Sequence, residues 1–154
     1  MKESDFYDEN NPKSYANCVS GGRYCASRVR ELNITEPTNI INENIRQKCV
    51  FNLFGVDKYY NYISQFHNLC MNKTNGVMFN LTCSERVISL LGLDNEKISD
   101  CLKGSFVKYS DFRLSNNTIL QADAAERKRL GAFLNPSVMI NSRRFSVFFI
   151  FNTI

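Results

Sequence analysis

Histidine is nearly absent: His67 is the only one in 154 residues. A serine-hydrolase triad or a Cys/His protease pair would have to use it. It lies among residues spaced as a helix, where a core or surface histidine is the plain reading. No Gly-x-Ser-x-Gly elbow accompanies it. Gly-x-Gly-x-x-Gly and P-loop patterns are missing too, which removes the common nucleotide cradles. No EF-hand loop occurs, and the acids around Asp94–Asp100 are spaced as a helix start, where they favour the dipole. No two cysteines form a CxxC pair, so a zinc knuckle lacks its ligands. No catalytic, cofactor-binding or metal-ligating residue is therefore assigned, and no cofactor is expected. With 3 Pro and 7 Gly the chain is neither collagen nor a low-complexity tail. The longest apolar stretch, Val147–Phe151, has five residues, against the ~18 a membrane span needs. No membrane contact by this segment is expected.

Charge of either sign is thin. Lys and Arg number 19 against 15 Asp and Glu, a net +4. The dense groups are Arg127-Lys128-Arg129 and Arg143-Arg144. A nucleic-acid footprint needs a broader stripe, so both groups read as solvated surface and nucleic acid is not an expected partner.

What the chain does have is cysteine. Six residues, Cys18, Cys25, Cys49, Cys70, Cys83 and Cys101, are widely spaced and even in number. Three disulfides are the better account, with 15 connectivities open. Four sequons point the same way, at Asn33, Asn72, Asn80 and Asn116, whereas Asn135 is followed by proline. Together these features favour an oxidising setting, the lumen of the secretory or endosomal pathway or the extracellular space. Met1–Ser20 holds no apolar h-region. The expectation is a piece of a longer secreted precursor, in preference to a cytosolic chain with free thiols.

Length and a 44% hydrophobic content suit one domain with its own core. Residues 1–16 read as a flexible lead-in. Gly21-Gly22 permits a tight turn between Cys18 and Cys25. Ile45, Cys49 and Leu53, widened by Val50 and Phe54, predict a helix that Gly55 ends. Tyr59, Ile63, Phe66 and Cys70 predict a second. Thr82-Cys-Ser-Glu85 reads as a capping box opening a helix through Cys83, Val87, Leu90 and Leu91. Asp94 is a predicted N-cap for a short helix holding Ile98, Cys101 and Leu102. Residues 106–117 are irregular, and 118–130 form a charged helix stopped by Gly131. Two strands close the chain, one after Pro136 and one over 144–151, antiparallel through a turn near Asn141-Ser142. Helices in the middle and strands at the ends make the chain α+β, or α/β with a helical insertion. Cysteines on apolar helical faces read as structural bridges, and Cys25, beside Arg23 and Arg28, is the best candidate for a reactive thiol.

Several stretches together resemble the central lumenal region of the vacuolar sorting receptors. They are Cys18-Val-Ser-Gly-Gly-Arg-Tyr-Cys25, Glu43-Asn-Ile-Arg-Gln-Lys-Cys49, Tyr62-Ile-Ser-Gln-Phe-His-Asn-Leu-Cys70, Cys83-Ser-Glu-Arg-Val-Ile-Ser-Leu-Leu-Gly-Leu-Asp94, Lys97-Ile-Ser-Asp-Cys101 and Phe133-Leu-Asn-Pro136-Ser-Val-Met-Ile-Asn141. The resemblance covers residues 17–145, taken as one domain, and implies a thioredoxin-like fold with a helical insertion, stabilised by disulfides. It makes Pro136 the candidate cis-proline, since a cis X–Pro bond turns the chain sharply. Residues 146–154 depart from the family pattern and read as an atypical, truncated tail. The resemblance is to the central region alone, and residues 1–154 are not expected to hold the receptors' protease-associated domain, EGF repeats, membrane span or cytosolic tail.

The resemblance implies a cargo-binding or interaction module, whose partners are a cargo protein or sorting peptide and the other domains of a longer receptor. The candidate cargo contacts are Gly21, Gly22, Arg23 and Tyr24, with the strip Pro136–Asn141. Two alternatives stand beside it. One is a thioredoxin-like thiol-disulfide oxidoreductase, for which Cys18 and Cys25 have the wrong spacing. The other is a structural lumenal domain without a ligand.

Overall fold

The computed structural model describes residues 2–3, 17–26, 36–71, 78–131, 137–140 and 143–146. Asn33, Asn72, Pro136 and the tail 147–154 lie outside the described residues. The chain divides into two units, Met1–Ile119 and Leu120–Ile154.

The first unit opens with three two-residue strands, β1 (Lys2–Glu3), β2 (Cys18–Val19) and β3 (Tyr24–Cys25). They form an antiparallel sheet in the order β1-β3-β2, with Cys18 directly opposite Cys25. Both turn glycines have positive φ, 65° at Gly21 and 83° at Gly22. Only glycine takes such angles without steric penalty, which lets the hairpin close inside a short cysteine loop.

A long helix, α1, runs Thr38–Cys70. The sequence pattern splits it at Gly55, and the break is real: Gly55 has φ 82° and ψ −179° inside the helix. No loop separates the halves. Before the break Ile41, Ile45, Cys49 and Val50 are buried, and after it Tyr62, Phe66 and Cys70. Leu53, expected on the buried stripe, is 44% exposed, and Tyr59 and Ile63 are half-buried. Leu53 precedes the break and Tyr59 and Ile63 follow it, so each departure lies within its own half: the buried stripe stops at Val50 before Gly55 and resumes at Tyr62 after it. A Cβ at Gly55 would meet nothing within 4 Å, so Gly55→Ala acts through the backbone alone. It is expected to destabilise by about 1–3 kcal/mol in a urea titration. An unchanged midpoint would show that the helix runs through without the break.

Helix α2 (Leu81–Leu90) is capped two residues earlier than the capping-box pattern predicts. Asn80 Oδ1 accepts from the Thr82 N–H at 2.8 Å, and Thr82 is already helical. Asparagine ranks with the best N-caps, ahead of threonine, because its short amide reaches the first free amides. The buried face is Ser84, Val87 and Ile88, while Leu90 is 62% exposed. Gly92, at φ 62°, ends the helix, with the Gly92 N–H donating to Ser89 and Leu93 to Ile88, the paired bonds of a Schellman stop. Helix α3 (Asn95–Gly104) starts at Asp94, whose Oδ1 accepts from the Lys97 N–H at 3.1 Å. That bond holds the Asp94 carboxyl below the usual carboxylate range. Ile98 and Leu102 are its buried residues.

Helix α1 packs on both α2 and α3, and two disulfides follow those contacts. Cys49 is bonded to Cys101 of α3, and Cys70 to Cys83 of α2. A third bridge, Cys18–Cys25, spans the hairpin. Residues 106–117 carry a 3-10 turn, Tyr109–Asp111, and a backbone bridge between Phe106 and Asn117. Phe106, Tyr109 and Phe112 cluster there with ring centroids 5.8–6.2 Å apart, Phe106 edge-on to the stacked Tyr109 and Phe112.

Helix α4 (Thr118–Arg129) begins at the end of the first unit and lies mostly in the second. The second unit also holds the hairpin β4 (Ser137–Ile140) and β5 (Arg143–Ser146), antiparallel with Ile140 opposite Arg143. The described residues thus form a mixed, mainly helical structure with two small antiparallel sheets. Among them, no helix is long and apolar enough to cross a membrane.

Candidate functional site

The most polar part of the core lies where α1 meets α2. Glu43 is fully buried, and each of its oxygens accepts twice. Oε1 takes the Tyr62 hydroxyl at 2.9 Å and Gln47 Nε2 at 3.2 Å. Oε2 takes Arg46 Nη1 at 2.5 Å and the Ser84 hydroxyl at 2.8 Å. A buried carboxylate is tolerable only when paired and bonded in this way. The contacts join both halves of α1 to α2 and fix the Arg46 guanidinium, whose side chain is 10% exposed.

Burial first, and then the neighbouring Glu43 carboxylate, push the Tyr62 hydroxyl well above the ordinary value of 10.0. Because the folded value is raised, this contribution to stability is complete below pH 10.0 and is lost as pH climbs beyond it. An ultraviolet titration should show Tyr62 ionising only as the protein unfolds. Reversible ionisation of all 7 tyrosines in folded protein would contradict the arrangement.

Arg46 also lines a cavity of about 310 Å³. The α1 wall is Asn39, Asn42 and Arg46; α2 supplies Leu81 and Glu85; α3 supplies Ile98, Ser99, Leu102 and Lys103. Phe79 and Tyr109 add aromatic rings. Asn42 Oδ1 is buried without a hydrogen-bond partner. An arginine held by a glutamate, an unsatisfied amide and an aliphatic floor can bind a polar group and an apolar one side by side.

The cysteine hairpin is arranged differently. Its loop is bonded to residues 112–116: the Gly21 N–H donates to the Arg113 carbonyl at 2.7 Å, and the Ser20 hydroxyl to that of Ser115 at 2.8 Å. Gly22 and Tyr24 are buried, Gly21 is half-buried, and Arg23 is exposed. Arg23 Nη1 reaches Asn116 Oδ1 at 3.4 Å. The disulfide between Cys18 and Cys25 lies on strands, away from any helix start of the kind that lowers a thiol pKa. Cys83 does lie in the first turn of α2, but its partner Cys70 is buried. Of the sequons, Asn116 is exposed and Asn80 half-buried. Among the described residues no group of His, Cys, Asp and Glu could hold a metal ion.

The sequence pattern did not single out the Glu43 network or the cavity. One signal was available: Glu43 and Arg46 are charges set among Ile41, Ile45, Cys49 and Val50, where a solvent-facing pair would be out of place.

Residues 3–147 match the family described as "Vacuolar sorting receptor thioredoxin-like domain". The chain belongs to that family. Its relatives include "Vacuolar-sorting receptor 7" of Arabidopsis thaliana, 32% identical over 101 residues, covering 60% of this chain and 16% of the relative. "Vacuolar-sorting receptor 1" of Pisum sativum is 28% identical over 138 residues, covering 83% and 21%. "Vacuolar-sorting receptor 6" of Arabidopsis thaliana is 26% identical over 147 residues, covering 92% and 22%. The chain therefore spans about a fifth of the length of these sorting receptors. No solved structure matches it. The relatives are named as receptors, not as enzymes.

Proposed function

We propose that this sorting-receptor domain is a lumenal cargo-binding or interaction module, contributing to the sorting of soluble proteins to the vacuole or lysosome. The match of residues 3–147 to the family carries this reading. The three disulfides support an oxidising compartment, where such bonds persist. Its architecture is read as a thioredoxin-like fold with a helical insertion, and Pro136 as its cis-proline. Asn33, Asn72, Asn80 and Asn116 are its candidate glycosylation sites, and Asn116, being exposed, is open to a glycan. Its partners are a cargo protein or sorting peptide and the other domains of a longer receptor. Of the four hairpin residues proposed as cargo contacts, Arg23 alone is exposed, so that loop offers cargo a cation and little apolar surface.

The experiment is a titration of the oxidised chain with sorting peptides of soluble vacuolar proteins, read by fluorescence anisotropy. Saturable binding that is competed by unlabelled peptide is expected. Absence of saturation would overturn direct recognition by this domain.

A further inference from the structure

We propose that the cavity between α1, α2 and α3 takes one aliphatic side chain of an extended peptide, while Asn42 and Arg46 hold the peptide backbone beside it. The peptide's origin as cargo rests on the sorting-receptor reading; the location does not. Ile98 and Leu102, both buried in the core, form an apolar floor at the cavity. The polar groups around it are of the kinds a peptide unit needs. Nη1 of Arg46 is engaged by Glu43 and Ser84. Its Nε and Nη2 make no hydrogen bond among the described residues and are free to donate to a carbonyl. Lys103 adds a second donor at the α3 side, and Glu85 an acceptor for an N–H.

Asn42 is the residue that internal packing does not explain. Neither end of its amide bonds to a described residue, and Oδ1 is buried as well. An orphaned buried acceptor is a standing penalty. Half a turn about the Cγ bond exchanges oxygen for nitrogen, so this one side chain can offer either an acceptor or a donor to the cavity. An extended residue presents both an N–H and a C=O, the pair a side-chain amide can meet. The volume, about 310 Å³, suits a side chain and its flanking backbone. A concave pocket near the lower end of the roughly 300–1,000 Å³ range of small-ligand sites fits one side chain rather than a flat domain face.

The test uses the full oxidised chain and an eight-residue sorting peptide of a soluble vacuolar protein. The peptide contains one leucine or isoleucine and is blocked at both ends. Amide shifts in a nuclear magnetic resonance titration should concentrate on residues 39–46 and 95–103. Changing the peptide's aliphatic residue to alanine, or the protein by Asn42→Leu, should weaken binding about tenfold or more. Asn42→Leu should also raise the melting temperature, since it removes the orphaned acceptor. Ser99→Phe fills the cavity from α3 and provides a second variant independent of α1; it too should weaken binding at least about tenfold. Unchanged affinity in folded Asn42→Leu and Ser99→Phe, or shifts confined to residues 20–24, would overturn the location and leave the sorting-receptor reading standing. Absence of saturable binding by the unsubstituted chain would overturn both.

Discussion

Glu43→Ala is expected to lower the unfolding free energy by about 3–5 kcal/mol, because it leaves the Arg46 charge buried without its partner. The Tyr62 and Ser84 hydroxyls lose their acceptor in the same step. Domains of this size hold roughly 5–15 kcal/mol in total, so the variant sits near the edge of folding. The comparison that isolates the mechanism is Glu43→Leu with Arg46→Met. Removing both charges together replaces an ion pair by apolar volume, which is often neutral or stabilising. Urea titrations of the oxidised proteins should therefore place the double variant well above Glu43→Ala. If Glu43→Ala costs under about 1 kcal/mol, water entering from the cavity is solvating Arg46, and the network contributes little.

The second large effect concerns the cross-links. Cys49 and Cys101 are 52 residues apart, and chain entropy predicts that Cys49→Ala with Cys101→Ala loses about 4 kcal/mol. The same relation gives about 3 kcal/mol for Cys70 and Cys83, 13 residues apart. For Cys18 and Cys25, 7 apart, it gives about 2 kcal/mol. Removing the longest loop also releases the most unfolded chain, so its denaturant m-value should rise most. Equal losses for all three paired variants would contradict a dominant role for loop closure. They would point instead to strain or local packing at each sulfur.

Local signals were legible wherever their physics is local. Asp94 opening α3, Gly21-Gly22 turning the hairpin and Gly55 interrupting α1 were all readable from residue type, because caps and positive φ depend on a few neighbours. The error at Thr82 was also local: two capping residues stand two positions apart, and Asn80 was used. The order of six cysteines with their flanks was enough to indicate the family, and residues 3–147 match it.

Pairing was another matter. An even cysteine count implies bridges without saying which thiols meet, since that depends on how α1 lies against α2 and α3. Helical period puts a residue on a face without saying where that face is covered, so the exposure of Leu53 and the burial of Tyr62 were decided by how α1 lies against its neighbours. Glu43, Tyr62 and Ser84 are 19 and 41 residues apart along the chain, and only packing brings them together. The sequence by itself determined the supply of cysteines for bridging, the punctuation of the helices and the family. Only the tertiary structure decided which sulfurs bond, which charge is buried and where a cavity opens, because each depends on surfaces that meet only after the chain has folded.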